Sequence, residues 1–186
     1  MLAWKIYDMN FNKYTQKAQA LIQEAQGLAI KLDHQFITPL HLLSALLEQD
    51  KDLVPYALKK HGANQQSITS VVEAELKRIP KVSGANLQMD KDAGQVLYKA
   101  ENYLKDFGDE FVSIDHLLLS ILENGAKAGQ ILKDAGLSKK SLTETIKELR
   151  KGDTISSNTD DNNYNALQKY AVNLKERAQS GKLDPV

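Results

Sequence analysis

Phe36-Ile37-Thr38-Pro39-Leu40-His41-Leu42-Leu43-Ser44-Ala45-Leu46-Leu47-Glu48 is written a second time, as Phe111-Val112-Ser113-Ile114-Asp115-His116-Leu117-Leu118-Leu119-Ser120-Ile121-Leu122-Glu123, every position displaced by 75 residues. Upstream, Ala18, Leu21, Ala25, Ala29 and Leu32 return as Ala93, Val96, Ala100, Leu104 and Phe107 at the same displacement. Downstream, Leu58-Lys59 and Gly62 return as Leu132-Lys133 and Gly136 after a one-residue deletion. A period this long marks a duplicated supersecondary unit.

Each copy reads as helices. In the first, Ala18, Leu21, Ile22, Ala25, Leu28, Ala29 and Leu32 fall on one helix face, entered at Asn12 or Thr15. Thr38-Pro39 is a start signal: the hydroxyl can accept a free backbone N–H, and proline suits the first helical position. Ser113 takes the Thr38 role in the second copy. The spacing predicts further helices near 53–61, stopped at Gly62, and near 66–78, ended by Pro80. Residues 80–89 bridge the copies, and the plan recurs over 90–107, 114–123, 126–135 and 138–150. No sustained two-residue alternation signals a strand. The expected fold is all-α: two four-helix repeats related by a quasi-twofold axis, each too small to bury much surface alone.

The domain division follows. Residues 1–8 read as a leader or appended extension before Met9, and 9–151 as the domain, with repeats of about 12–80 and 87–151. Residues 152–186 read as a polar linker with almost nothing to pack, followed by an amphipathic connecting helix through Leu167, Tyr170, Ala171, Leu174 and Ala178. That helix has no further core to join and reads as a connection to something larger.

Composition narrows function. In 186 residues, 24 basic and 24 acidic side chains cancel, so no global field favours nucleic acid or an anionic membrane surface. The absence of Cys removes disulfides, thiolate catalysis and cysteine zinc sites, and fits a reducing compartment. No apolar run approaches the ~18 residues of a membrane span, and the opening residues lack the pattern of a signal peptide. Cytoplasm is the default. The doubled His41 and His116 invite a metal hypothesis. With four His in all and no carboxylate at ligand spacing, the preferred reading is two packed, hydrogen-bonded residues near helix starts. Paired carboxylates in an evident helix register and nucleophile motifs are also missing, which argues against a small hydrolase.

The doubled Phe-hydrophobic-x-x-x-His-Leu-Leu core, with the tail Ala166-Leu-Gln-Lys-Tyr-Ala-Val-Asn-Leu-Lys-Glu-Arg-Ala-Gln-Ser-Gly-Lys-Leu-Asp-Pro-Val186, resembles the amino-terminal region of the ClpB disaggregase family over about residues 9 to 186. The repeat is shared across Clp amino-terminal domains, while the tail leans to ClpB over ClpA or ClpC. The resemblance implies a substrate-capturing domain on a mobile linker, belonging to a homohexameric AAA+ machine that works with the DnaK system on unfolded or aggregated polypeptides. The ATPase modules, and with them ATP and magnesium, are absent from this stretch: Gly181-Lys182 is followed by Leu183, and the phosphate-loop spacing fails. No cofactor is expected here, and the fragment is expected to be a monomer. The alternative is the adaptor- or substrate-docking domain of a protease-linked Clp unfoldase.

Capture needs an exposed apolar groove with a polar rim. In the run Val96-Leu97-Tyr98, Val96 matches Leu21 of the first copy and belongs inside, which leaves Leu97 or Tyr98 partly outward. Leu119 is apolar where the first copy has Ser44, although packing between the copies would explain it as well. The resemblance adds Thr15, Asp109 and Asp115: a Thr near the start of helix one and two acidic residues around the second-copy motif are implicated in function in ClpB-like domains. Asp115 replaces the usual Glu, and His116 stands where some relatives carry an apolar residue. Each has a plainer reading, with Thr15 as a helix cap, Asp109 as a turn residue after Gly108 and Asp115 as an acid at a positive helix start. The expected substrate-binding set is therefore Thr15, Leu97, Asp109, Asp115 and Leu119.

Overall fold

Thr15, Thr38, Asn64, Asp90, Ser113 and Ser138 each stand immediately before a helix with extended or near-extended backbone, so the start signals in the sequence are the starts in space. A computed structural model describes residues 11–82, 84 and 86–160. The leader before Met9 and the tail helix expected beyond residue 163 lie outside them.

The first copy holds α1 (Gln16–Lys31), α2 (Pro39–Gln49), α3 (Leu53–Lys60) and α4 (Gln65–Leu76). The second holds α5 (Lys91–Ala100), α6 (Leu104–Phe107), α7 (Ile114–Asn124), α8 (Ala126–Asp134) and α9 (Lys139–Arg150). The single helix expected over 90–107 is thus divided by a 3-10 turn at Glu101–Tyr103, which turns the Tyr103 ring into the core. Gly62 and Gly136 both have positive φ, at 72° and 91°, the left-handed conformation that closes α3 and α8.

α2 and α7, the two copies of the repeated motif, are apolar on nearly every side and buried accordingly. They meet at the centre of the molecule. Most contacts between copies come in related pairs, α1 with α7 and α2 with α5, α3 with α9 and α4 with α8; the contact of α2 with α8 has no equal counterpart between α7 and α3. This reciprocity is the quasi-twofold arrangement expected from the repeat.

One expectation is corrected. A parallel two-stranded pairing joins β1 (Phe36–Ile37) to β2 (Gln88–Met89), and its counterpart is the parallel bridge of Tyr14 with Val112. Each copy's segment before its central helix therefore pairs with the segment that leads into the other copy's first helix. Two residues are too short to show alternation, which hides these strands in the sequence.

Residues 152–160 are a second correction. Expected as an unpacked linker, they return to the body of the fold: Ile155 is 3% exposed, and its N–H and C=O both bond to the segment before α7. The polar composition conceals one apolar side chain, which is enough to dock the segment.

Candidate functional site

The segment Asp109–His116 gathers most of the charge buried in this fold. It begins after Gly108, whose φ of 72° ends α6, and runs through Val112 into α7. Thr15 lies against it: its N–H donates to the Val112 carbonyl at 2.9 Å, while its Oγ accepts the Ala18 N–H at 3.3 Å as the cap of α1. At the next residue, the Gln16 N–H donates to the Asn158 carbonyl at 2.8 Å. The start of α1, the start of α7 and the chain leaving α9 thus converge.

Arg150, the last residue of α9, is 3% exposed and reaches into this convergence. Its Nε donates to Asp115 Oδ2 at 2.8 Å and its Nη1 to Asp109 Oδ2 at 2.5 Å, so one planar guanidinium bridges two carboxylates. The Phe107 ring stacks under it, with the guanidinium carbon 4.7 Å from the ring centroid. Asp109 spends its other oxygen on the Ile155 N–H at 2.7 Å, and the Ser113 hydroxyl donates to Asp115. Burial pushes the Asp109 carboxyl up, but His116, the Ile155 N–H and Arg150 outweigh it and hold the group below the usual carboxylate range. Burial likewise raises Asp115, and the neighbouring His116, Arg150 and Ser113 more than reverse it.

His116 is the third helical residue of α7. Its Nδ1 accepts the Ser113 backbone N–H at 3.0 Å, which puts the ring proton on Nε2. That nitrogen sits 2.9 Å from Asp109 Oδ2, yet off the line of a proper hydrogen bond, so the contact is electrostatic. In the first copy His41 does the same work. Its Nδ1 accepts the Thr38 N–H at 3.0 Å, and its Nε2 donates to Nδ1 of His34 at 2.8 Å. Both repeated histidines are therefore packed helix-start residues, as the sequence suggested. Among the described residues, no three His, Asp or Glu side chains are placed to hold a metal ion.

Superposing the copies by the repeat exposes what the sequence reading missed. His34 occupies the slot of Asp109, Leu40 that of Asp115, and Leu76, the last residue of α4, that of Arg150. The first copy fills the place with a neutral, largely apolar set; the second fills it with two acids and a base. Arg150 was legible as a basic residue that ends its helix where the first copy has Leu76.

The expected site residues divide. Thr15, Asp109 and Asp115 are brought together, buried at 0%, 9% and 3% exposure. Leu97 and Leu119 are not surface residues at all: both are 0% exposed. The reason for Leu97 is periodicity, because Ala93, Val96, Leu97 and Ala100 make one complete inward stripe of α5. Tyr98, off that stripe, is the outward residue at 63% exposure. Leu119 lies in α7, which is buried along its length, so packing explains its difference from Ser44. A cleft of about 410 Å³ opens between Lys17 and Ala20 of α1, the 49–52 turn and Ile114. Lys17, Lys51, Asp50 and Asp52 are among its lining residues, with Ala20 and Ile114.

Comparison with known proteins places these features in a family. The Clp repeat (R) N-terminal domain family matches residues 13–135, a span that includes Thr15, Asp109 and Asp115 and stops short of Arg150. The chaperone protein ClpB of Bacteroides thetaiotaomicron is 42% identical over 178 residues, 96% of this chain and 21% of that protein. ClpB of Porphyromonas gingivalis is 41% identical over the same share. The chain thus spans about a fifth of the length of these relatives. Among solved structures, the Hsp104 N-terminal domain from Candida albicans aligns with a TM-score of 0.68 at 28% identity, covering 80% of this chain and 99% of that one. With the repeat, the all-α fold and the matched residues in agreement, the chain belongs to the Clp repeat N-terminal domain family.

Proposed function

We propose that this chain is the polypeptide-capturing N-terminal domain of a ClpB-type disaggregase. The observation that carries the reading is the 42% identity to a ClpB chaperone across 96% of the chain. On this reading the stretch is not itself an enzyme. ATP, magnesium, hexamer formation and cooperation with a DnaK-type chaperone belong to AAA+ modules of the full-length cytoplasmic protein, and the domain by itself is a monomer that binds neither nucleic acid nor membrane. Thr15, Asp109 and Asp115 support capture from within, by fixing the convergence of α1, α7 and the exit segment.

Leu97 and Leu119 offer no surface, so contact with substrate falls to side chains that do. Val82 lies beside the α1–β1 turn, where its N–H donates to the Asp33 carbonyl at 2.7 Å. Ile30 and Phe36 flank that turn, and the three are 60%, 39% and 41% exposed for Ile30, Phe36 and Val82. Exposed apolar side chains near one turn suit weak, sequence-tolerant contact with unfolded chain. An NMR titration with unfolded casein tests this: shifts are expected at Ile30, Phe36 and Val82, or around Tyr98, and to weaken in Ile30→Ser. A well-dispersed spectrum that stays unchanged at high casein concentration refutes capture.

A further inference from the structure

Three independent contacts hold the chain after α9 against the body of the domain. The Ile155 N–H donates to the Asp109 carboxylate at 2.7 Å. The Ile155 carbonyl accepts the Glu110 N–H at 2.9 Å, and the Asn158 carbonyl accepts the Gln16 N–H at 2.8 Å. Beyond these, the Asp160 carboxylate accepts the Ser156 and Ser157 N–H groups, each at 2.8 Å, tying the end of the segment into a closed turn. To reach this position the chain reverses immediately after α9, with Lys151 at φ 51° and Gly152 at φ 97°. A left-handed lysine is disfavoured, and such a conformation persists only where surrounding contacts determine it.

We infer that Arg150, Asp109 and Asp115 form a buried latch that makes residues 153–160 part of the domain, so that this segment is held beside the start of α1 instead of extending from the end of α9. Arg150 is a positioning residue in this device. Its fork fixes both carboxylates, and Asp109, so fixed, presents its remaining oxygen to Ile155. The first copy shows what the latch adds. There the return segment is held by the bridge between His34 and Lys81 and by the Val82 N–H on Asp33, and β2 then pairs with β1, with no charge involved. In the second copy the carboxylate of Asp109 adds a charged acceptor to the backbone bonds at Glu110 and Gln16. Anything covalently attached beyond residue 160 inherits its attachment point from this cluster, whatever polypeptide the domain captures.

Amide hydrogen exchange on the whole chain at pH 7 tests the latch. In the unsubstituted chain the N–H groups of Gln16, Glu110 and Ile155 are expected to exchange slowly. In Asp109→Ala they are expected to exchange at least tenfold faster, while amides in the middle of α2 stay protected. Because the loss of Asp109 leaves Arg150 buried with one partner fewer, a second variant, Ile155→Gly, removes the docked side chain without touching the charged cluster. The same speeding of Gln16 and Glu110 is expected there. Free exchange of these amides in the unsubstituted chain, or undiminished protection in both variants, overturns the inference.

Discussion

Arg150→Leu is the most informative substitution in this fold, because it writes into the second copy the residue that the first copy carries at the same place. It removes a guanidinium that bridges Asp115 and Asp109 and leaves two carboxylates of 3% and 9% exposure without their cation. Breaking a buried ion pair from one side costs roughly 3–5 kcal/mol, or about 10 °C of melting temperature for a fold of this size. The pH response should also weaken. With Arg150 present both carboxyls sit low, so their contribution is complete above the unfolded carboxylate range of about 4 and is lost only as pH falls through the folded values. Without Arg150 the carboxyls lose part of what holds them low while His116, the Ile155 N–H and Ser113 remain, so the variant should lose less stability than the unsubstituted chain as pH falls below about 4. The triple substitution Asp109→His, Asp115→Leu and Arg150→Leu installs the whole first-copy set. It should recover most of the loss, since replacing a buried ionic cluster by packed neutral groups is close to neutral. Urea unfolding followed by circular dichroism reads all three forms. A cost under about 1 kcal/mol for Arg150→Leu, or a triple variant no more stable than the single one, refutes the argument.

Two further outcomes follow from the packing. His41 is held neutral, its pKa lowered to about 4 by burial and by His34 beside it. Stability should therefore be full above an unfolded value near 6.5 and decline as pH falls towards 4, by about 2 kcal/mol at pH 5. His41→Gln, which keeps an acceptor for the Thr38 N–H, should flatten that slope in urea titrations at pH 8 and pH 5; an unchanged slope would remove the histidine pair as its cause. Gly129 in α8 packs so closely on α7 that an added Cβ would lie 2.6 Å from the Ile121 carbonyl oxygen and 2.7 Å from that of Leu122. Gly129→Ala should cost about 1–3 kcal/mol by overpacking, and a melting temperature equal to that of the unsubstituted chain would contradict so tight a contact.

The helices and their arrangement were legible because the chain states them twice. Start signals at Thr38 and Ser113, stops at Gly62 and Gly136 and the apolar faces of α1 and α5 are local features, and the 75-residue displacement turns them into a quasi-symmetric pair. What stayed hidden acts over distance. The cross-pairing of Phe36–Ile37 with Gln88–Met89 needs only two residues per strand, below any periodic signal. Ile155 is one apolar residue in a polar run, and its burial depends on a carboxylate 46 residues away. Leu97 was readable in principle: the stripe Ala93, Val96, Leu97, Ala100 was present in the sequence, and weighing Tyr98 against that stripe would have turned the tyrosine outward.

The asymmetry between the copies also bears on why the second one carries charge. Every helix junction within the repeat is followed by more of the fold, so the backbone can hold it: after α4, the chain needs only Val82 on Asp33 and then β2 on β1. After α9 no strand pairing follows among the described residues; the segment is held by two backbone bonds, Glu110 N–H to the Ile155 carbonyl and Gln16 N–H to the Asn158 carbonyl, and the Asp109 carboxylate adds the third. In the neutral set of His34, Leu40 and Leu76 the one acceptor, His34 Nδ1, is already taken by the His41 ring. A carboxylate can accept an incoming N–H, provided a cation stabilises it in a buried place, and the end of α9 delivers that cation as Arg150. Arg150 at that position lets the helix that creates the exit also fasten it. Substitutions at Asp109 and Asp115 should accordingly be read first by their effect on residues 153–160, and only then by any effect on captured polypeptide.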